Sequence, residues 1–378
     1  MKIDRMHEQK VGTMNPVMSA HHVVVYHDPA HWAAVPANNG ANGSVWQWGN
    51  ELLAGFTVGT FLRARSGHQC TYDKPFDSWL ARSLDGGETW QTWKAEGYAG
   101  QPAPNRELVE GVNCASPDFV LRVEGNGYHG NSGCRWYLSG DRGASWSGPY
   151  GFGTLFECPE LAGLEFTGRT AYFVEGPKTL LLFLSARKTK EAATLNIAIE
   201  EKPFLARTDD GGKSWAFVSW LVPWSDTYRA VMPAPVRLSP SRLVVALRRK
   251  SPTNNWIDCV ASADNGATWV PLSRVGDTEA GNNHNGNPPA MVVMADGRLC
   301  CVYGNRTMQC MLASFSADGG ATWSEPAVIR DDFSSVSGWP DLGYPRLYQR
   351  RDGRLVAIYF WCSPERPETH IAATIFAA

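Results

Sequence analysis

Ser316-Ala317-Asp318-Gly319-Gly320-Ala321-Thr322-Trp323 is one of five copies of a single eight-residue pattern. The pattern Ser/Thr-x-Asp-x-Gly-x-x-Trp also spans Ser83–Trp90, Ser139–Trp146, Thr208–Trp215 and Ser262–Trp269. Its residue types are those of a tight hairpin turn. The Asp carboxylate accepts from backbone N–H groups, and Gly supplies positive φ without steric cost. The Trp lays a large ring over the hairpin and keeps its indole N–H at a polar edge. These aspartates therefore read as staples rather than catalysts, and loss of the Asp318 carboxylate is expected to weaken folding. Successive repeat aspartates (Asp85, Asp141, Asp210, Asp264, Asp318) are 56, 69, 54 and 54 residues apart. A period of about 55 holds four short strands and their turns.

A second set of landmarks keeps the same period. Pro233, Pro289 and Pro345 are 56 apart, as are Leu243, Leu299 and Leu355. They bracket apolar hairpins: Val236–Leu247 around Ser239-Pro240-Ser241, Met291–Tyr303 around Asp296-Gly297, and Leu347–Tyr359 around Asp352-Gly353. Runs of this kind, flanking turn residues, are buried strands. Trp48-Gly49-Asn50-Glu51 and Glu175-Gly176-Pro177-Lys178 are variant turns of the same hairpin, and Phe119–Val123 reads as an inner strand before glycine-rich Gly125–Gly133.

The repeat resembles the Asp-box, or BNR, repeat of the sialidase superfamily. That resemblance implies an all-β fold, a sialidase-like six-bladed β-propeller. The last unit lacks both a repeat turn and an outer strand, while His21–Tyr26 is a strand without a unit of its own. Pairing the two would close the ring and remove the exposed edges. The expected organisation is a flexible leader over 1–20 and a single propeller domain over 21–378. In a propeller the repeat turns and inner hairpin turns share one face. The opposite face surrounds the axis and is the default binding site. Its longest insertions are Thr57–Ser78 and Arg187–Lys202.

That face collects the candidate site residues. Ends of second strands supply Arg63, Arg65, Arg187, Arg248, Arg249 and Arg306. Starts of first strands supply Arg229, His284-Asn285-Gly286-Asn287 and Asp341-Leu342-Gly343-Tyr344, with Asp118, Glu160 and Asp73 nearby. Guanidinium forks grip carboxylates in a bidentate way, so Arg248, Arg306, Arg229, Arg187 and Arg63 are expected to bind an anionic substrate. The family resemblance adds roles. Asp73, in Asp73-Lys74-Pro75 ahead of the first repeat, matches the family's acid/base aspartate. Arg248 and Arg306 match the second and third arginines of its carboxylate-binding triad, and Tyr344 is placed like its tyrosine nucleophile. The chain departs from the family where its R-I-P arginine would lie, reading Ser44-Val45-Trp46-Gln47-Trp48. Tyr228-Arg229-Ala230-Val231-Met232-Pro233 stands where the glutamate that activates the tyrosine is expected.

The expected function is a carbohydrate-active enzyme: a glycosidase of the exo-sialidase-like type, acting on a sialic or uronic sugar. Asp73 and Asp341 are the preferred acid/base pair, with Tyr344 and His284 as alternates. A polysaccharide lyase acting beside a uronate carboxylate is the alternative within the enzyme class. A non-catalytic glycan-binding propeller would instead present Trp46, Trp48, Trp339 and Trp361 as platforms. The net charge of −2 gives no general attraction to nucleic acid or membrane. Nine cysteines without metal-ligand spacing imply no metal and no cofactor, and Cys259, Cys300, Cys301 and Cys310 sit in strand-like runs as buried thiols. Met1–Glu8 has no apolar core of a secretory signal, so a cytoplasmic location is the default expectation, and a secreted or periplasmic one the alternative if a signal has been removed.

Overall fold

Each repeat turn closes a pair of strands, and the strands gather into six separate antiparallel sheets arranged as a propeller. The computed structural model describes residues 20–34, 45–63, 67–97, 103–125, 134–189, 199–281 and 283–378. Apart from Ala20, the expected leader lies outside the described residues, as does Arg65.

β1 (Ala20–Tyr26) precedes the first blade. Blade one holds β2 (His31–Ala34), β3 (Val45–Trp48), β4 (Glu51–Thr60), β5 (Asp77–Ser83) and β6 (Gln91–Lys94). Blade two holds β7 (Val120–Glu124), β8 (Arg135–Ser139) and β9 (Ser147–Tyr150). Blade three runs β10 (Leu164–Val174), β11 (Leu180–Lys188), β12 (Glu201–Thr208) and β13 (Ala216–Trp220). Blade four is β14 (Arg229–Arg237), β15 (Leu243–Lys250), β16 (Asn254–Ser262) and β17 (Val270–Ala280). Blade five is β18 (Pro289–Val293), β19 (Leu299–Asn305), β20 (Cys310–Ser316) and β21 (Ala327–Arg330). Blade six is β22 (Gly343–Gln349), β23 (Leu355–Trp361) and β24 (His370–Phe376), completed by β1. β1 pairs with β24, His22 opposite Thr374 and Val24 opposite Ala372, so the ring closes on the N-terminal strand.

Blades one and two depart from the simple pattern. In blade one the innermost position is shared: β2 covers the far half of β4 and β3 the near half. In blade two, β7 pairs with the strand that leads into the repeat turn. It therefore occupies the second position, and the described blade has three strands.

The turns work as their residue types predict, with one change of emphasis. Ser316 Oγ accepts from the Gly320 N–H at 2.8 Å and donates to Asp318 Oδ1 at 2.8 Å. Asp318 accepts from the Thr322 N–H and hydroxyl at 2.9 and 2.6 Å. Those bonds, led by the Thr322 hydroxyl, hold the Asp318 carboxyl down at about 2. Asp318 itself is exposed, while Ser316 is buried. The buried bond of the turn thus belongs to the serine, not the aspartate. Ser316→Ala is expected to cost about 1–3 kcal/mol, because it strands the buried Gly320 N–H, and more than Asp318→Ala. Urea unfolding of the two variants checks this order.

The Trp rings of the fourth and fifth repeats tie neighbouring blades. Trp269 Nε1 donates to Ser219 Oγ at 2.9 Å, and Trp323 Nε1 to Ser273 Oγ at 3.1 Å. The glycine that each repeat holds two residues after its Asp has a packing cause as well as a conformational one. At Gly266 φ is +90°, and a Cβ there would lie 2.3 Å from Leu205 Cδ2 of blade three. Apolar clusters fill the gaps between neighbouring blades. Leu52 and Phe56 meet Val356 and Phe360 between blades one and six, and Val244 and Ile257 meet Leu299 and Tyr303 between four and five. Repeat turns bond directly to inner hairpin turns, as in Gly86 N to Asn50 O and Asn265 N to Ser241 O, both 2.8 Å. Both turns therefore share one face, and the ends of the second strands open on the other.

Candidate functional site

On the face away from the repeat turns, four consecutive blades bring polar side chains toward the axis. Their positions are set by the inner strands. Between Gly343, paired with Phe360, and Arg346, paired with Ile358, β22 carries one extra residue. β14 does the same between Val231 and Ala234. Bulges of this kind re-aim a side chain and cluster beside active sites. Tyr344 and Met232 take up the extra residue with φ of +55° and +59°, a conformation costly for residues with a Cβ. The bulge sets Tyr344 against Arg248, whose Nη1 donates to the phenolic oxygen at 3.2 Å.

Arg248, near the end of β15, and Arg306, just after β19, are 2% and 4% exposed. Neither has a carboxylate within ion-pair distance among the described residues. Arg248 Nη2 donates to the Asn285 carbonyl. The Asn287 carboxamide fits between the Leu342 carbonyl, to which its nitrogen donates at 3.1 Å, and Arg306 Nε, from which its oxygen accepts at 3.3 Å. Gly343 makes room for that amide: a Cβ there would sit 1.9 Å from it. Burial lowers the Arg306 pKa, with Tyr344 and then Asp341 opposing the effect, so these three groups share one electrostatic neighbourhood.

The remaining arginines are already occupied. Arg229 Nε and Nη2 reach Glu201 Oε2 at 2.9 and 2.5 Å, and Arg187 reaches Glu165 at 2.5 Å. Arg249 grips both oxygens of Asp226 at 2.7 and 2.8 Å. Arg63 is exposed and donates to the Val336 carbonyl at 3.2 Å. Asp118 lies on the opposite face, accepting from Arg142 of the second repeat turn at 2.6 Å. Glu160 is exposed on the connection into blade three. Asp73 is exposed in the blade-one loop, where its N–H reaches Thr71 Oγ1 at 3.4 Å.

Asp341 is fully buried. It accepts from Trp32 Nε1 at 2.8 Å and Thr369 Oγ1 at 3.0 Å, and its other oxygen lies 2.7 Å from His68 Nδ1. Burial alone would raise its pKa, but His68, Trp32 and Arg306 together hold it below the usual carboxylate value. A carboxylate so enclosed cannot meet substrate. It anchors the ring of His68, which is partly exposed. The His68 ring packs on Trp32 and on Phe360, and Tyr344 stacks on that same Phe360 at 5.4 Å. His284 forms a second such pair with buried Glu279 at 2.9 Å and rests edge-on against Trp339. Glu279 also accepts from the Asn283, His284 and Gly286 N–H groups, so it holds the loop that presents Asn285 and Asn287.

His68 was not among the sequence-derived candidates. Its signal was its place in the insertion Thr57–Ser78, on the face that the topology favours.

Residues 118–357, more than half of the chain, match the family model described as a BNR repeat-like domain. No curated protein sequence matches. A protein of unknown function from Dyadobacter fermentans is similar in structure, with 17% identity, coverage of 96% of this chain and 100% of that one, and a TM-score of 0.67. The Penicillium chrysogenum α-L-arabinanase complexed with arabinobiose shares 16% identity over 95% and 98% of the two chains, with a TM-score of 0.60. The Trypanosoma rangeli sialidase in complex with sialic acid shares 12% identity, and the match spans 96% of this chain and 60% of that one at a TM-score of 0.58. At these identities the likeness is one of fold: a sialidase-like six-bladed propeller.

Proposed function

Because this chain belongs to the BNR repeat-like domain family and has a sialidase-like propeller fold, we propose that it is a carbohydrate-active enzyme that cleaves a glycan at a carboxylate-bearing sugar. The observation that carries this reading is the pair Arg248 and Arg306: buried guanidinium groups from adjacent blades, both without a carboxylate partner among the described residues, beside Tyr344. A buried charge is retained where something compensates it, and a ligand carboxylate is the natural complement to two forks. That solved propellers of this fold hold arabinobiose or sialic acid supports a sugar as the ligand.

His68, polarised by Asp341, is the proton-transfer group of this reading, with Nε2 toward the bond to be broken. In hydrolysis it donates a proton to the departing glycosidic oxygen, the hydroxyl of a water adds to the anomeric carbon, and the water's other proton returns to the His68 imidazole. Tyr344, on the other side, stabilises the positive charge that develops at that carbon. Asp73, an exposed acid on the blade-one loop, is the alternative proton donor of this reading.

Elimination is the second reading. It is favoured because the groups beside the arginines are an imidazole and a phenol, whereas the carboxylate among them, Asp341, is enclosed. In that reaction His68 or Tyr344 removes the proton beside a uronate carboxylate. The C–O bond on the adjacent carbon then breaks, the departing oxygen takes up the proton that was removed, and an unsaturated sugar is left. The test is incubation with a panel of sialosides, uronate oligosaccharides and neutral arabino-oligosaccharides. Release of sialic or uronic reducing ends with one oxygen from labelled water supports hydrolysis, and an ultraviolet-absorbing unsaturated product supports elimination. Cleavage confined to the neutral oligosaccharides contradicts the proposal.

A further inference from the structure

A second hollow lies along the propeller axis on the side of the inner hairpin turns, with a volume of about 390 Å³. Its wall is built from the innermost strands. Registration of those strands against their neighbours identifies one equivalent position in four blades. Ala171 pairs with Phe183, Ala234 with Ala246, Ala290 with Val302, and Arg346 with Ile358. Three blades place a methyl group at that level, which leaves the axis open, and blade six places a guanidinium. All four residues line the hollow, together with Trp46, Trp48, Phe119, Tyr172 and Tyr348, and among the described residues no acidic one does.

The guanidinium is poorly matched by the protein. Arg346 Nη1 donates to the Pro345 carbonyl at 2.9 Å, and Nε is shielded from solvent without a hydrogen-bond partner among the described residues. Burial pulls its pKa down to about 10, so it stays charged near neutral pH. Tyr348 is close by: burial raises its pKa, and the charge of Arg346 opposes that rise. Tyr172 Oη accepts from Trp46 Nε1 at 3.0 Å and from the Leu121 N–H at 3.2 Å. Both its lone pairs are then engaged, and its own proton is left to donate. A charged fork, a phenolic donor, two indoles and prolines around a ligand-sized hollow make a site for an anion with a flat apolar body.

We propose that this axial hollow is a second ligand site, distinct from the Arg248–Arg306–Tyr344 cluster, that takes a small organic carboxylate with an apolar ring. Its carboxylate sits on Arg346, and its ring lies against the indoles. The test is isothermal titration of the full chain with benzoate, its neutral counterpart benzamide, and chloride. Benzoate should bind one per chain and benzamide about tenfold more weakly or worse; Arg346→Gln should weaken benzoate by about tenfold or more, with Arg346→Lys in between. Arg248→Lys should leave benzoate binding unchanged, which separates this hollow from the other face. If Arg346→Gln fails to fold, the comparison of benzoate with benzamide in the wild type and in Arg248→Lys decides alone. Equal affinity for benzoate and benzamide, binding lost in Arg248→Lys, or binding of chloride only would overturn the assignment.

Discussion

Replacing His68 with Gln is expected to lower turnover by about 100-fold or more on any substrate the wild type cleaves. Gln keeps a polar group opposite Asp341 but cannot take up and release a proton near neutral pH. The loss should fall on kcat more than on KM, because Arg248 and Arg306, not His68, hold the substrate in this account. Asp341→Asn should follow the same pattern more mildly, since it removes the charge behind the imidazole and leaves the ring in place. Asp341 is a positioning residue here. A structural role alone would lower Tm without changing the pH profile, whereas loss of the charge beside His68 should shift that profile. Added imidazole should restore part of the activity of a His68→Gly variant. Full turnover in His68→Gln would move the acid/base role to another group, and exposed Asp73 would then be the first to test.

Deleting residues 1–30 is expected to abolish the cooperative fold, and deleting 1–15 to leave Tm unchanged. The first deletion removes β1 and leaves the edge of β24 unpaired, a template for aggregation. Val25 is buried in the cluster between blades six and one, with Val23 and Tyr26 packed against it. Burial of one such side chain contributes about 1.5–3 kcal/mol, and each ladder hydrogen bond about 0.5–1.5 kcal/mol. Six registered pairs and these side chains together rival the whole margin by which a domain is stable, about 5–15 kcal/mol. Thermal unfolding and size-exclusion profiles of the two truncations give the answer.

The architecture was legible because its signals are local and repeated. Five turns with Asp, Gly and Trp at fixed offsets mark the outer hairpins, and prolines and leucines at a shared period mark the inner ones. The orphan strand His21–Tyr26 and the incomplete last unit implied each other. Blade two was harder: Phe119–Val123 looks like an innermost strand because four of its five residues are apolar, yet its partner β8 puts it second. Apolar content cannot distinguish those positions, since both are buried.

The site was legible only in part, and the reason is pairing. Whether an arginine faces a ligand or an internal carboxylate depends on strands that are distant in sequence. Glu165 and Glu201 neutralise Arg187 and Arg229 from neighbouring strands, and nothing in the local sequence announces it. Arg248 and Arg306 have the same local setting, at the ends of second strands, but meet an amide, a carbonyl and a phenol. Asp341 and Tyr344 were proposed from their position at the start of blade six. What sequence could not show is that the aspartate is enclosed and bonded to His68, a residue from the other side of the ring seam.

The central claim is that Arg248 and Arg306 bind a carboxylate on the substrate. It is tested most directly by titrating the wild type, Arg248→Lys and Arg306→Lys with the best-bound acidic sugar and with its methyl ester. Lys keeps the charge and loses the fork, so each variant should bind the acid about tenfold or more weakly than the wild type does. The wild type should disfavour the ester to a similar degree, and ester and Lys substitution should not add, because both remove the same contact. Equal affinity of the wild type for acid and ester would contradict the account.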